Sequence, residues 1–294
     1  MASANATSGA PIWAIGVFAH NEAHRIRDCL ESILAAKADR DLRITVLANG
    51  CSDRTVEVVH SVAQRHRGVA VAEIEMGDKA NAWNLYVHEV SGDAECYFFM
   101  DGDVRMRPSA LTSLSQALAR DPAANAAAAL PASGRDLGSF RQALVRERGL
   151  AGNLYALSAR FVDRIRHRQI RLPIGLIGDD SLVGALAKWD LDMQGTWNND
   201  RVVPAEGAEF LFDSVSLANP RDWRLYWRRL IRYKIRAYQM QLLRDLLRQK
   251  GLAAMPSSVA DLYQHSDLRS LRWFGYDAPI SLLALLRMRR TSSP

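Results

Sequence analysis

The sequence predicts an α/β fold, with a mostly parallel central sheet flanked by helices and a helical region at its C-terminal end. Three observations lead there. Apolar runs of strand length alternate with segments of helical spacing through the first half of the chain. Those runs end in polar loops, which a parallel sheet gathers along one edge. From Arg221 to Lys250 the pattern becomes a long helical one, dense in Arg, Trp, Tyr and Leu.

The elements follow in order. Ile12 to Phe18 is an apolar strand, and Glu22 to Leu34 has helical spacing through Ile26, Leu30, Ile33 and Leu34. Arg43 to Ala48 is the second strand, Thr55 to Gln64 a helix, and Val69 to Ile74 the third strand. Lys79 to Glu89 is a helix and Cys96 to Met100 the fourth strand. Pro108 to Arg120 is a helix with proline at its start. Ala123 to Leu130 reads as a strand despite its alanines. Arg135 to Arg148 is polar and basic and reads as a mobile loop. Gly149 to Arg168 reads as a packed turn and then a helix, and Leu182 to Trp189 as a helix opened by Gly178-Asp179-Asp180-Ser181. Arg201 to Phe212 reads as two short extended pieces around Pro204 and Gly207.

Composition narrows the class. The 294 residues are 48% hydrophobic, enough for one large core or a catalytic domain with an appendage. Cys29, Cys51 and Cys96 are too few and too widely spaced for a disulfide framework or a CxxC metal site, which suits a reducing cytoplasm. Met1 to Ala10 lacks a basic n-region, so no signal peptide is expected, and no apolar run approaches the ~20 residues of a membrane span. The net charge of +6 favours anionic partners.

The most informative segment is Tyr97-Phe98-Phe99-Met100-Asp101-Gly102-Asp103, where a strand ends in two carboxylates one residue apart. Hard oxygen ligands so placed suit Mg²⁺ or Mn²⁺ with a diphosphate. By itself the triplet also suits a surface turn, where Asp-Gly is common. The neighbouring strand ends are polar as well: Ala19-His20-Asn21-Glu22, Ala48-Asn49-Gly50-Cys51-Ser52-Asp53 and Gly77-Asp78-Lys79. Helix caps explain part of this pattern, and a ligand crevice explains why all four loops share it.

Five of these segments, in order across roughly residues 12 to 235, resemble family 2 glycosyltransferases of the GT-A fold. Phe18 to Glu22 is similar to that family's PAYNE-type first-strand signature. Val46 to Thr55 is similar to its DDGSTDGT-type loop, with Ala48-Asn49 in place of two aspartates. Gly77 to Asn81 resembles the GKxxALN element, and Asp101-Gly102-Asp103 the DxD motif. Ile177 to Leu182 resembles the ED motif, with Asp179 in place of Glu.

The resemblance implies roles. His20, Glu22, Asn49 and Asp53 would line the nucleoside pocket, Lys79 would approach the diphosphate or ribose, Asp101 the ribose, and Asp103 with Asp101 a Mn²⁺ or Mg²⁺ ion. Asp180 would be the base that takes the acceptor proton, with Asp179 supporting it, although a Gly-Asp-Asp-Ser segment also suits a plain helix start. Gly152 and Asn153, within Gly149 to Leu157, resemble the segment bordering donor sugar and acceptor, and a turn before a helix is an equal reading of them. Arg229 and Arg232 stand where many members carry QxxRW, without its Gln and Trp. That departure, with no membrane span, points to non-processive transfer, while Arg228, Arg229 or Arg232 would still be placed to contact a diphosphate or acceptor.

The resemblance thus implies a metal-dependent inverting transferase moving sugar from a UDP- or GDP-type donor to a hydroxyl-bearing acceptor. A GT-A catalytic domain would span 1–215, with nucleotide-sugar binding over about 12–130 and the acceptor and base region over about 131–215. A basic helical region would follow over 216–294. The Trp, Tyr and Arg of 221–250 suit either peripheral contact with the inner face of the membrane or a helix packed on the catalytic domain. No nucleic-acid motif accompanies the charge. The competing readings are a catalytically silent nucleotide- or membrane-binding scaffold and a sugar nucleotidyltransferase. A Gly-rich basic loop after the first strand would favour the latter, but Ala-His-Asn-Glu stands there.

Overall fold

The computed structural model describes residues 12–37, 40–134, 136–213, 220–268, 271 and 277–291. The first elements are β1 (Ile12–Ala19), α1 (Ile26–Ala35), β2 (Asp41–Asn49), α2 (Thr55–Ala63), β3 (Val69–Ile74), α3 (Lys79–Leu85, continued by a π turn over Tyr86–Val90) and β4 (Cys96–Asp101). They are followed by β5 (Arg105–Met106), α4 (Ala110–Arg120), β6 (Ala126–Pro131), α5 (Leu137–Glu147), β7 (Leu154–Ser158), α6 (Ala159–His167) and α7 (Asp179–Lys188). The chain ends in β8 (Val202–Leu211), α8 (Pro220–Lys250), α9 (Val259–Gln264) and α10 (Ala278–Thr291).

Among the described residues the eight strands form one mixed sheet in the order β3-β2-β1-β4-β7-β6-β8-β5. β3, β2, β1 and β4 are mutually parallel, and β7 inserts antiparallel between β4 and β6. β1, β4 and β6 are apolar on both sides and buried along nearly their whole length because both faces of the sheet are covered there. Along β4, Cys96, Phe98 and Met100 join the cluster under α1, α2 and α4, whereas Tyr97 and Phe99 join the one under α3, α6, α7 and α8. That alternation is the two-residue period of a strand read out by packing.

Three expectations fail here. The segment read as a mobile loop at Arg135 to Arg148 is helix α5 from Leu137 to Glu147, Arg135 itself lying outside the described residues. Its apolar residues Leu137, Phe140 and Leu144 recur at helical spacing. Phe140 meets Phe212 edge-on at 6.4 Å, Arg141 pairs with Glu209 at 2.8 Å, and Arg148 and Gly149 close the helix end. The turn-then-helix reading of Gly149 to Arg168 missed β7. Leu154-Tyr155-Ala156-Leu157 consists largely of good helix formers, and only the gap between β4 and β6 makes it a strand. The two pieces expected around Pro204 and Gly207 are the single strand β8, and the expected break survives as a register shift opposite Ala128 and Leu130.

The C-terminal helices pack into the same core. Ile231, Ile235, Tyr238, Leu242, Leu243 and Leu247 of α8 join Leu182, Val183 and Leu186 of α7 in one buried cluster, along with Ala284, Leu285 and Met288 of α10. Among the described residues no helix is long and apolar enough to cross a membrane.

Candidate active site

Parallel pairing brings the loops together. Phe18 pairs with Asp101, Ala19 with Ala48 and Asn49 with Ile74, so the ends of β1, β2, β3 and β4 all reach one sheet edge.

On the β1–β2 side, hydrogen bonds lock the loops to one another. The Asn21 Oδ1 accepts from the Ser52 and Asp53 N–H groups at 2.8 and 3.2 Å. The Glu22 N–H donates to Thr55 Oγ1 at 2.8 Å, and the Ala23 N–H to Asp53 Oδ2 at 3.1 Å. Asp53 Oδ1 accepts from both the Thr55 N–H and its hydroxyl. Slight burial opposes these bonds, yet they hold the Asp53 carboxyl below its usual range. Asp53 therefore braces the loop. His20 bonds through Nδ1 to the Asn49 carbonyl at 2.6 Å, and Asn49 Oδ1 accepts the Asp78 N–H at 2.8 Å. Asn49 is buried, and its amide oxygen is spent joining the loop after β2 to the start of α3. Glu22 is half-buried beside these loops. Burial first, and then the negative charge of Asp103, push its carboxyl up, while Arg25 at 3.2 Å opposes them.

The centre of the site is a cation among carboxylates. Lys79 opens α3 after Asp78, whose side chain caps the helix by accepting the Asn81 N–H at 2.7 Å. Its ammonium lies 2.5 Å from Asp101 Oδ1 and 3.5 Å from Asp179 Oδ2, with the Phe18 ring 5.6 Å beneath it. Burial alone would push the ammonium down, but Asp101 and Asp179 outweigh it and hold Lys79 well above its usual range. Burial pushes the Asp101 carboxyl up to about 6, against the pull of Lys79. It also pushes up Asp179, whose buried Oδ2 has no hydrogen-bond partner. Beneath them Phe99 stacks on Tyr155 at 4.7 Å, and Trp83 donates to the Tyr155 hydroxyl at 3.0 Å, a dry floor that accounts for the burial.

Asp101 titrates higher folded than unfolded, so it contributes stability that is present below its ordinary value near 4 and lost as pH rises through about 6. In chelator, the stability of wild type relative to Asp101→Asn is expected to fall by on the order of 1–3 kcal/mol between pH 4 and 7 and to level off above. Thermal or urea unfolding across that range measures it, and a flat difference would refute the raised carboxyl.

Asp179 and Asp180 are the first two residues of α7, both buried, with Gly178 rather than either aspartate as the N-cap. Asp180 Oδ2 accepts the Gly152 N–H at 3.1 Å, and Arg236 Nη2 lies 3.1 Å from each Asp180 oxygen. Gly152 makes the convergence possible. A Cβ there would stand 3.0 Å from Lys79 Nζ, 3.7 Å from Asp101 Oδ2 and 3.8 Å from Asp180 Cβ. Asn153 contributes through its backbone, its carbonyl accepting the Asp101 N–H at 3.2 Å. Asp103 is exposed.

Arg229 and Arg232 are exposed on α8, and the arginine that reaches the site is Arg236, one turn beyond Arg232. The row of basic residues on α8 gave no way to single it out. Only the helix's register against α7 does.

The sequence model described as Glycosyl transferase family 2 matches residues 14–173, more than half of the chain. The chain belongs to glycosyl transferase family 2. This glycosyltransferase has no match among curated proteins. Among solved structures it is similar to a mannosyltransferase from Pyrobaculum calidifontis in complex with GDP-Man and Mn²⁺, with a TM-score of 0.60 and 20% identity over 98% of this chain and 77% of that one. It is also similar to residues 1–349 of S. aureus TarS, with a TM-score of 0.51 and 12% identity over 95% and 82% of the two chains. At these identities the likeness is one of fold, and it gives the mixed sheet and its C-terminal helices the GT-A architecture.

A divalent ion fits the site's chemistry. Asp101 and Asp103 are hard oxygen donors beside the cleft, although Asp101 also pairs with Lys79. Among the described residues no cluster of three or more His, Cys, Asp or Glu could hold a metal alone. Such a pair suits Mg²⁺ or Mn²⁺, which typically complete their shells with substrate phosphates and water.

Proposed function

We propose that this glycosyltransferase moves a sugar from a UDP- or GDP-type donor to an acceptor hydroxyl by a single inverting displacement, one sugar at a time. The observation that carries this reading is the convergence at Gly152, with Lys79 and Asp101 from the donor side and Asp180 from α7 within 4 Å of a single point. Glu22 and the braced loops at Asn21, Asn49 and Asp53 form the nucleoside side of the cleft. Asp103, with Asp101, is the pair that would hold Mn²⁺ or Mg²⁺, supplying positive charge against the departing diphosphate. Lys79 adds a fixed cation to the same region, ready to pair with phosphate when a donor enters.

Asp180 takes the proton from the acceptor hydroxyl. The oxygen forms its bond to the anomeric carbon as the bond to the diphosphate breaks, and the nucleoside diphosphate leaves. Asp180 works by position, held by the Gly152 N–H and by Arg236. The mannosyltransferase of similar fold was solved with GDP-Man and Mn²⁺, which is consistent with this donor class and metal. Thermal unfolding with UDP, GDP, CDP and dTDP, each with Mn²⁺ and with chelator, tests the reading. One nucleotide should stabilise only with metal present, and no shift with any of them would count against the donor site.

The C-terminal region supports peripheral contact of a cytoplasmic enzyme with an anionic membrane. Tyr226, Trp227 and Tyr233 of α8 are 40%, 54% and 61% exposed, and Arg228, Arg229 and Arg232 stand exposed among them. The side chains of Trp223 and Arg224, part of the same pattern, lie outside the described residues. Aromatic and basic side chains together suit a headgroup region. Sedimentation with phosphatidylglycerol vesicles should capture the protein at low salt, phosphatidylcholine vesicles should capture less, and Trp227→Ala with Tyr233→Ala should weaken it. Equal capture by both lipids would refute the contact.

A further inference from the structure

We infer that Arg236 is a positioning residue for the catalytic carboxylate, and that α8 thereby sets the geometry of proton transfer. The inference rests on the reading of Asp180 as the base. It goes beyond that reading by assigning a role to a residue outside every motif of the catalytic half and beyond the segment matched by the family model.

Asp180 is held from two sides. The Gly152 N–H donates to Oδ2 from the loop before β7, and Arg236 Nη2, on α8, sits 3.1 Å from each oxygen. A carboxylate with one donor can turn about its last bond, whereas one held by donors on two separate elements keeps its oxygens fixed. Arg236 is itself fixed. Its Nε donates to Ser181 Oγ at 3.1 Å, and Nη2 also bonds that hydroxyl. Its stem crosses the backbone at Gly178, where φ is +92° and a Cβ would lie 2.6 Å from Nε and 2.8 Å from Cδ and Cγ. Only glycine suits both that backbone conformation and that close approach.

One turn further along α8, Gln239 Oε1 accepts the Ile177 N–H at 2.8 Å, and its Nε2 donates to the Tyr263 hydroxyl at 2.6 Å. Residues 177 to 181, which carry the base, are thus gripped at both ends by a helix that does not itself belong to the sheet. A guanidinium suits this task better than an ammonium, because its planar fork can face a carboxylate and a hydroxyl together.

The test is a double-mutant cycle on the full chain. Release of nucleoside diphosphate is followed with a panel of UDP-, GDP-, CDP- and dTDP-sugars in Mn²⁺, with water as the hydroxyl acceptor that gives up its proton and takes the sugar, and nucleotide-induced thermal shifts report that each variant is folded. Arg236→Gln should lower kcat by about 10–100-fold with the donor KM within about twofold, the signature of a displaced catalytic group rather than a lost donor contact. Arg236→Lys should recover only part of the rate, and free guanidinium should restore activity to Arg236→Ala. Asp180→Asn combined with Arg236→Gln should be no slower than Asp180→Asn alone, because Arg236 acts through Asp180. A raised donor KM at unchanged kcat, or losses that multiply in the double variant, would overturn the inference. Full activity in Arg236→Gln beside an inactive Asp180→Asn would overturn it while leaving the base in place. Full activity in Asp180→Asn would remove the base reading itself, and this inference with it.

Discussion

Asp180→Asn is expected to lower the rate of sugar transfer by about 10²–10⁴-fold, the usual worth of a positioned general base. The amide keeps the shape of the side chain and an oxygen for the Gly152 N–H, so the cleft should stay formed. What it loses is the capacity to take a proton and the charge facing Arg236. The half-buried guanidinium left facing an amide costs about 1 kcal/mol of stability. Two measurements separate these effects. Steady-state release of nucleoside diphosphate gives the rate, and thermal unfolding with nucleotide gives the donor site, which should respond as in wild type. A variant that transfers sugar at the wild-type rate would return Asp180 to the role of a helix-start carboxylate.

Asp103→Ala is expected to abolish the metal-dependent part of nucleotide stabilisation while leaving the ligand-free protein nearly unchanged. Asp103 is exposed and makes none of the hydrogen bonds that brace the loops, so its removal should cost the fold little. Its charge nevertheless reaches Glu22 across the cleft, where it helps raise that carboxyl, so Glu22 should titrate lower in the variant. In wild type, nucleotide at a hundred times its dissociation constant stabilises by about 2.7 kcal/mol. In Asp103→Ala, nucleotide with Mn²⁺ should give no more than nucleotide with chelator. An undiminished response would mean that Asp101 and the neighbouring groups hold the ion without Asp103, or that the nucleotide needs none.

Lys79 separates the two aspartates of the DxD triplet. Asp101 is paired with a half-buried ammonium, while Asp103 is left to solvent. The two differ in surroundings, although one residue apart, because one ends a strand over the Phe99–Tyr155 stack and the other lies past the turn. Spacing alone could name the pair but not divide its labour.

Local pattern was enough to place the polar groups at the sheet edge. Apolar runs of strand length each ended in a polar loop, and parallel pairing admits only one edge for those loops, so His20, Glu22, Asn49, Lys79 and Asp101 had to converge. Helix α5 was also present in the sequence, in the spacing of Leu137, Phe140 and Leu144, but its polar and basic residues hid it. Tertiary structure decided the rest. Leu154 to Ser158 is a strand because the space between β4 and β6 requires one, against the helical preference of Leu and Ala. Arg236, rather than Arg229 or Arg232, faces Asp180 because α8 packs Ile231, Ile235 and Tyr238 into the core shared with α7, and that register turns Arg236 toward the base. Local pattern fixes where a chain can be strand or helix. Which side chain of a long helix meets a distant carboxylate depends on the packing of two elements more than fifty residues apart, which no local pattern encodes.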